Sequence, residues 1–165
     1  MHHVIVALAL GAALVPLGCR TAAGNGRTAL SNAAGAAPIA PVRLEAIAER
    51  DWVLQAWSAT EPAAAEPPVT LRYAEGRFAG KSACNRYTGP VTPGEVTGEC
   101  TVGAIASTRM MCPPPIFAVE SRYLTALARA THVGLRGDRL AITYATEDGG
   151  TATLFFREAP ARPRD

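Results

Sequence analysis

The sequence predicts an α+β fold, in which a small antiparallel β-sheet carries a single α-helix. Apolar and polar residues alternate with a period of two along most of residues 45–158, which is typical of strands with one buried face. Residues 116–130 break this pattern, because they lack Gly and Pro and space their apolar side chains as a helix does. The chain has 165 residues, of which 48% are apolar and 18% charged, so one globular domain is expected.

The strands of this sheet can be placed in order along the chain. The predicted strands begin at Trp52 and then cover residues 69–73, 77–79, 100–105, 133–136, 140–144 and 151–156. Turn-forming residues at 75–76, 137–138 and 148–150 join neighbouring strands as hairpins. The sequence therefore predicts an antiparallel meander.

The single helix follows three consecutive prolines at positions 113–115. The side chains predicted to share its apolar face are Ile116, Phe117, Tyr123, Leu124 and Leu127. Glu120 lies on the same face, where a carboxylate needs a partner to offset its lost hydration. We expect a structural bond to a backbone N–H or to an arginine such as Arg86 or Arg109. A catalytic role is the alternative, but no second carboxylate or histidine is placed to work with Glu120.

The N-terminus predicts a lipoprotein-type signal peptide over residues 1–19. Residues 4–17 form an almost unbroken apolar run, which is shorter than the roughly 20 residues needed to span a bilayer. The run ends in residues 15–19, which resemble a bacterial lipobox with Cys19 as the lipidated residue. Cleavage nearby and an uncleaved anchor are the alternatives. Lipid on Cys19 would hold the protein at the membrane, on the periplasmic side of the bacterial envelope and most simply at the outer membrane, whereas cleavage elsewhere would leave it secreted.

The rest of the chain divides into three parts. Residues 20–44 are rich in Ala, Gly, Ser and Thr and show no periodicity, which predicts a flexible tether. Residues 45–158 form the predicted folded domain, and residues 159–165 are expected to be a disordered tail. A domain of this size can bury about 65% of the surface of its unfolded chain, so we expect it to be stable without a cofactor.

Five short motifs follow one another along the predicted domain. They are Trp52-x-Leu54, Gly80-x-x-x-Cys84-Asn85-x-Tyr87-x-Gly89, Thr108-Arg109-Met110-x-Cys112, Glu120-x-x-Tyr123-Leu124-x-x-Leu127 and a closing Leu140…Leu154-Phe155-Phe156. In this order they resemble the META domain family, which includes the HslJ-type heat-shock lipoproteins. The resemblance implies a sheet curled into a barrel-like shape with one α-helix packed on it. It also implies an envelope protein linked to stress or drug resistance, with no established reaction.

The resemblance also implies which cysteines pair. Cys84 and Cys112 belong to the two family-like blocks, so we expect a disulfide between them, with Cys100–Cys112 as the main alternative. If Cys19 takes lipid, the exported domain keeps an odd number of cysteines, and one thiol is left over. We expect that thiol to be Cys100, buried as a small apolar residue. Asn85 is interpreted as part of a tight bend beside the bridge, because Asn tolerates left-handed backbone angles.

The sequence favours a non-enzymatic envelope lipoprotein that binds a partner protein, a peptide or a small ligand, or protects the cell wall region under stress. Its candidate binding surface is formed by Arg86, Tyr87 and Arg109, beside the cysteine blocks. No phosphate loop, nucleophile elbow or metal-ligand spacing is present in the sequence, so we expect neither cofactor nor metal. The net charge of +2 is small, and no basic run alternates with aromatic residues, so binding to nucleic acid is not expected.

Two other functions remain open at this point. One is a thiol-dependent enzyme, in which Cys84 would be the nucleophile and His132 its base. The other is a proteinase-inhibitor-like module, which small size and a disulfide-braced loop would suit.

Overall fold

A computed structural model describes residues 37–160 of the chain. The strands are β1 (Ala40–Pro41), β2 (Asp51–Ala56), β3 (Thr70–Ala74), β4 (Arg77–Lys81), β5 (Arg86–Pro93), β6 (Cys100–Val102), β7 (Ala106–Ser107), β8 (Ala130–Arg136), β9 (Arg139–Ala145) and β10 (Thr151–Glu158). The α-helix of this part of the chain, α1, spans Pro114–Ala128, and a short 3-10 helix covers Leu44–Ile47. The predicted signal peptide, Cys19 and residues 161–165 lie outside the described residues.

The strands form one curled antiparallel sheet. Its order is β1-β8-β9-β10-β2-β3-β4-β5-β6, and β7 pairs with β5 beside this path. The sheet curls until Glu99, just before β6, bridges to His132 on β8, and the Val133 N–H donates to the Gly98 carbonyl at 2.7 Å. The predicted α+β class, with a barrel-like sheet and one helix, is confirmed.

The core lies between the concave face of the sheet and α1. The largest fully buried side chains are Trp52, Tyr123, Phe78, Phe156, Ile47, Leu71, Leu127, Leu140, Ile142, Leu154, Val69 and Val133. Tyr123 of α1 packs edge-on against Phe156 of β10 and Tyr87 of β5, with ring centroids 6.4 and 5.5 Å apart. Large aromatic side chains bury the most apolar area, so these contacts fix the helix on the sheet.

Phe117 does not lie on the buried face of α1, and this part of the prediction is wrong. The helix buries Glu120, Tyr123, Ala126 and Leu127, whereas Phe117 is 60% exposed. At about 100° per residue, Phe117 lies about 60° around the axis from Glu120, on the side away from Tyr123. The buried arc of α1 is therefore narrower than the apolar pattern indicated.

Strand β5 was not predicted, because residues 86–93 contain Gly89, Pro90 and Pro93. These residue types disfavour strands locally. Pairing overrides that preference here, since β4 flanks β5 on one side while β6 and β7 flank it on the other. The strand predicted at residues 100–105 is correspondingly shorter, and ends at Val102.

Residues before the boundary predicted at residue 45 also pack on the domain. Strand β1 pairs with β8, and Leu44 is buried. Gly134 of β8 makes this possible, because a Cβ at that position would lie 2.7 Å from the Ala40 carbonyl oxygen. At the other end, the Ala159 N–H donates to the Asp51 carbonyl at 2.7 Å, so the first residue of the predicted tail is also held.

Candidate functional site

The candidate site is built on the connection between β4 and β5, residues 82–85. The Ser82 N–H donates to the Asn85 carbonyl at 2.8 Å, which closes a tight bend, and the Ser82 hydroxyl oxygen lies 3.0 Å from the same carbonyl. Ala83 has a φ of 77°, in the left-handed region that non-glycine residues rarely adopt. The predicted bend is present, but its left-handed residue is Ala83 rather than Asn85.

A disulfide joins this bend to the segment before α1. Cys84 is bonded to Cys112, which is 28 positions further along the sequence, and the two Cα atoms are 6.4 Å apart. This is the pair implied by the family resemblance. Cys100 is free and buried in β6, and burial raises the pKa of its thiol to about 11. The Cys100 thiol therefore stays protonated at neutral pH and is a poor nucleophile.

Asn85 connects both cysteine blocks to the helix. Its side-chain oxygen accepts hydrogen bonds from the Thr108 hydroxyl and the Met110 N–H, both at 2.8 Å. Its side-chain nitrogen donates to the Glu120 carboxylate at 2.9 Å. Only 3% of Asn85 is exposed, so its amide is committed to these internal bonds. It holds the segment before α1 against the β4–β5 connection.

Glu120 is buried and accepts three hydrogen bonds from residues 82–85. One carboxylate oxygen accepts from the Ser82 hydroxyl and the Asn85 N–H, both at 2.8 Å, and the other accepts from the Asn85 amide. The expected backbone partner is present. Arg86 and Arg109 form no ion pair with it among the described residues. Both oxygens accept hydrogen bonds within the protein and Glu120 is only 6% exposed, so the carboxylate does not face a substrate.

Tyr87 is wrong as a member of the binding surface. Tyr87 is 3% exposed, and its hydroxyl donates to the Thr70 carbonyl at 3.0 Å. The hydroxyl oxygens of Tyr87 and Tyr123 are 2.6 Å apart. Successive side chains of a strand face opposite sides, so Tyr87 turns inward where Arg86 turns outward. Burial raises the pKa of the Tyr87 and Tyr123 phenols well above the ordinary value of tyrosine, so both side chains stay neutral.

The surface around the disulfide is apolar and basic. The large apolar side chains exposed within residues 37–160 are Val96, Met110, Met111 and Phe117. Three of these four lie within six residues of Cys112, and Met111 is fully exposed. Arg86 and Arg109 are exposed, as expected, and Lys81 of β4 is the register partner of Arg86. Lys81 and Arg86 also line an open groove of about 500 Å³.

The basic side chains of this surface are not neutralised by the protein. The arginines that form ion pairs in the described part of the chain are Arg50, Arg72, Arg122 and Arg129. Neither Lys81, Arg86 nor Arg109 is among them. Their charges therefore remain available to an anionic partner.

The structure does not assemble the groups of a thiol enzyme. The sulfur of Cys84 is bonded to Cys112, and His132 is an exposed residue of β8 whose Nδ1 lies 3.0 Å from the Thr131 hydroxyl. Among residues 37–160, no three His, Cys, Asp or Glu side chains are placed to hold a metal ion. No helix in that range is long and apolar enough to cross a membrane.

The comparison with protein families identifies the family of this chain. The model of the META domain matches residues 45–160, which is more than half of the chain. The chain belongs to the META domain family. The matched range of this META domain contains both cysteine blocks, α1 and the closing strands β9 and β10. No curated protein matched the chain.

Solved structures similar to this META domain support the same fold. An NMR structure of a protein from Burkholderia xenovorans is 27% identical, with a TM-score of 0.56, and the match covers 75% of this chain and 91% of that one. A second NMR structure is 24% identical, with a TM-score of 0.54 and coverage of 70% and 94%. The second likeness concerns the fold alone.

Sequence reasoning missed several residues of this site. Ser82 and Thr108 lie inside the cysteine blocks, so the motifs marked their region but not the hydrogen bonds that they make. The exposure of Met110, Met111 and Phe117 had no signal in the sequence, because apolar residues before and within a helix are usually buried.

Proposed function

We propose that this META domain is a non-enzymatic binding module of the bacterial cell envelope, held at the membrane by lipid on Cys19. One observation supports the proposal most directly. The side chains at the site that could take part in catalysis are Cys84, Cys112, Asn85 and Glu120. The two cysteines form a disulfide, Glu120 accepts hydrogen bonds from Asn85, and all four side chains are buried or half-buried. Their role is to hold a surface in place rather than to act on a substrate.

The surface that they hold is suited to binding. Met110 and Met111 are exposed beside the unpaired charges of Arg86 and Arg109. Exposed apolar patches of soluble proteins commonly mark interaction sites, and Met side chains adapt to varied partners. The Met110 N–H is fixed to Asn85, so little order has to be gained on binding.

Crosslinking in cells tests this proposal. A photoreactive amino acid at Met111 should form adducts with an envelope component, whereas the same residue at Val96 should not. Val96 is the matched control because it is 62% exposed and lies on a different loop. If the folded protein formed no adduct at position 111, the proposed binding function would be contradicted.

Thiol labelling separates the module from the alternative enzyme. Iodoacetamide should leave Cys84 unmodified in oxidised native protein and label it only after a reductant is added. Rapid labelling of Cys84 without reductant would show a reactive thiol and would favour the enzyme with His132 as base.

The proposal includes the stress or drug-resistance role that the family resemblance implies. A deletion strain should grow more slowly under heat or antibiotic exposure, and the wild-type gene should restore growth. The double variant Arg86→Gln/Arg109→Gln should not restore it, although both positions are exposed and the fold should persist. Full restoration by this variant would show that the role does not depend on the basic surface.

A further inference from the structure

We propose that the Met110–Met111 loop of this domain docks onto the surface of an anionic phospholipid bilayer. The inference deepens the proposed function and rests on it, because it names the partner of the same surface. Its elements are an exposed apolar tip, basic side chains beside that tip, and a rigid support beneath it. These are the features that hold peripheral proteins at an anionic interface.

The apolar tip projects from a fixed base. Met111 is fully exposed and Met110 is 61% exposed, while the Met110 N–H is bonded to Asn85 at 2.8 Å and Cys112 to Cys84. Phe117 follows in the first turn of α1, where its N–H donates to the Pro113 carbonyl. It lies one turn before Glu120, whose carboxylate binds Asn85, so the ring belongs to the same corner of the molecule.

The basic residues lie next to this tip. The Thr108 N–H donates to the Arg86 carbonyl at 3.0 Å, so the backbone of the next residue, Arg109, lies close to Arg86. Lys81 is the cross-strand partner of Arg86, so their Cβ atoms are about 5 Å apart. None of the three is in an ion pair within residues 37–160. A cluster of positive charge beside apolar side chains complements anionic headgroups above an acyl layer, and a protein partner would need a matching acidic rim.

The short length of chain between the predicted anchor and the domain favours a bilayer further. The described chain begins at residue 37, and the predicted anchor is Cys19. Residues 20–36 reach at most about 60 Å even when fully extended. Lipid on Cys19 would therefore keep the domain near the membrane at high effective concentration, where a small surface of weak affinity is sufficient.

Tryptophan fluorescence measures this contact directly. The full chain carrying Met111→Trp would be reconstituted into vesicles of brominated phosphatidylcholine, with or without phosphatidylglycerol. The native Trp52 and Trp57 are buried, so they contribute a constant background. The matched control is Val96→Trp, which places the probe at another exposed apolar site.

We expect the bromine atoms to quench the fluorescence of Trp at position 111 in anionic vesicles, but not that of Trp at position 96. Adding Arg86→Gln and Arg109→Gln should weaken docking of position 111 on anionic vesicles about fivefold for each charge removed. Salt at about 1 M should weaken the same docking by a similar factor. Equal quenching at both positions, or quenching that does not depend on phosphatidylglycerol, would overturn the inference.

The outcome for a protein partner is distinct. If photoreactive residue 111 captures an envelope protein in cells while Trp at 111 stays unquenched in vesicles, the lipid assignment fails and the binding function stands. If neither contact forms, both proposals fail.

Discussion

Replacing Glu120 with Gln tests whether the buried network stabilises the domain. The Glu120 carboxylate accepts from the Ser82 hydroxyl, the Asn85 N–H and the Asn85 amide, at 2.8, 2.8 and 2.9 Å. A Gln oxygen can keep the first two bonds, but its NH₂ group would then face the Asn85 NH₂ group at 2.9 Å. Asn85 cannot flip to relieve this contact, because its oxygen accepts from Thr108 and Met110.

The cost follows from the bonds that are lost. A hydrogen bond to a charged group contributes about 1.5 to 3 kcal/mol, and an unsatisfied buried donor costs about 1 to 3 kcal/mol. Relief of the buried charge of Glu120 offsets part of this loss. We therefore expect Glu120→Gln to lower the free energy of unfolding by about 2 to 3 kcal/mol.

Urea unfolding at neutral pH, with the disulfide intact, measures this loss. Glu95→Gln is the matched control, because Glu95 is exposed and should change stability by less than about 0.5 kcal/mol. If Glu120→Gln were as stable as the wild type, the carboxylate would not be the acceptor that this network requires, and the reasoning would be refuted.

Three further predictions concern stability. Replacing both Cys84 and Cys112 with Ser should lower the free energy of unfolding by about 3 to 4 kcal/mol, since the bridge closes a 28-residue separation; a loss below about 1 kcal/mol in urea melts would contradict this. Burial raises the pKa of Cys100 from 9.0 to about 11, so its contribution to stability is complete below about pH 9 and falls as the pH rises toward 11. The free energy of unfolding, measured from about pH 8 to 11, should therefore fall less steeply with pH in Cys100→Ala than in the wild type. An equal pH dependence in the two proteins would refute this prediction. Gly80→Ala should destabilise by more than about 2 kcal/mol, because its Cβ would lie 2.1 Å from the Thr70 carbonyl oxygen, and thermal unfolding near the wild-type temperature would argue against that clash.

The sequence predicted those elements whose local pattern and tertiary environment agree. In the hairpin of β9 and β10, Leu140 and Ile142 are buried two positions apart, Leu154 pairs with Ile142 across the strands, and turn residues separate the strands. Strand β5 could not be predicted, because its Gly and Pro residues disfavour a strand and only pairing with β4, β6 and β7 compensates. Strand β1 was missed for a similar reason, since it depends on the space left by Gly134 on β8.

The candidate site was predictable in position and not in its atomic arrangement. The cysteine blocks marked Cys84, Asn85 and Cys112, and the helical period placed Glu120 on the buried side. Which donors satisfy that carboxylate depends on contacts between residues 35 and 38 positions apart, which local patterns do not contain. Tyr87 was misplaced because the strand that turns it inward was itself unrecognised.

Two kinds of bond join the segment before α1 to the β4–β5 connection, namely the Cys84–Cys112 disulfide and the hydrogen bonds of Asn85. Because the Asn85 amide binds residues 108 and 110 directly, we expect these contacts to form even while the thiols are still reduced. Folding then brings Cys84 beside Cys112 and buries Cys100 within β6. Of the three thiols in the domain, we therefore expect the folded chain to favour oxidation of Cys84 with Cys112 over either pairing that involves Cys100.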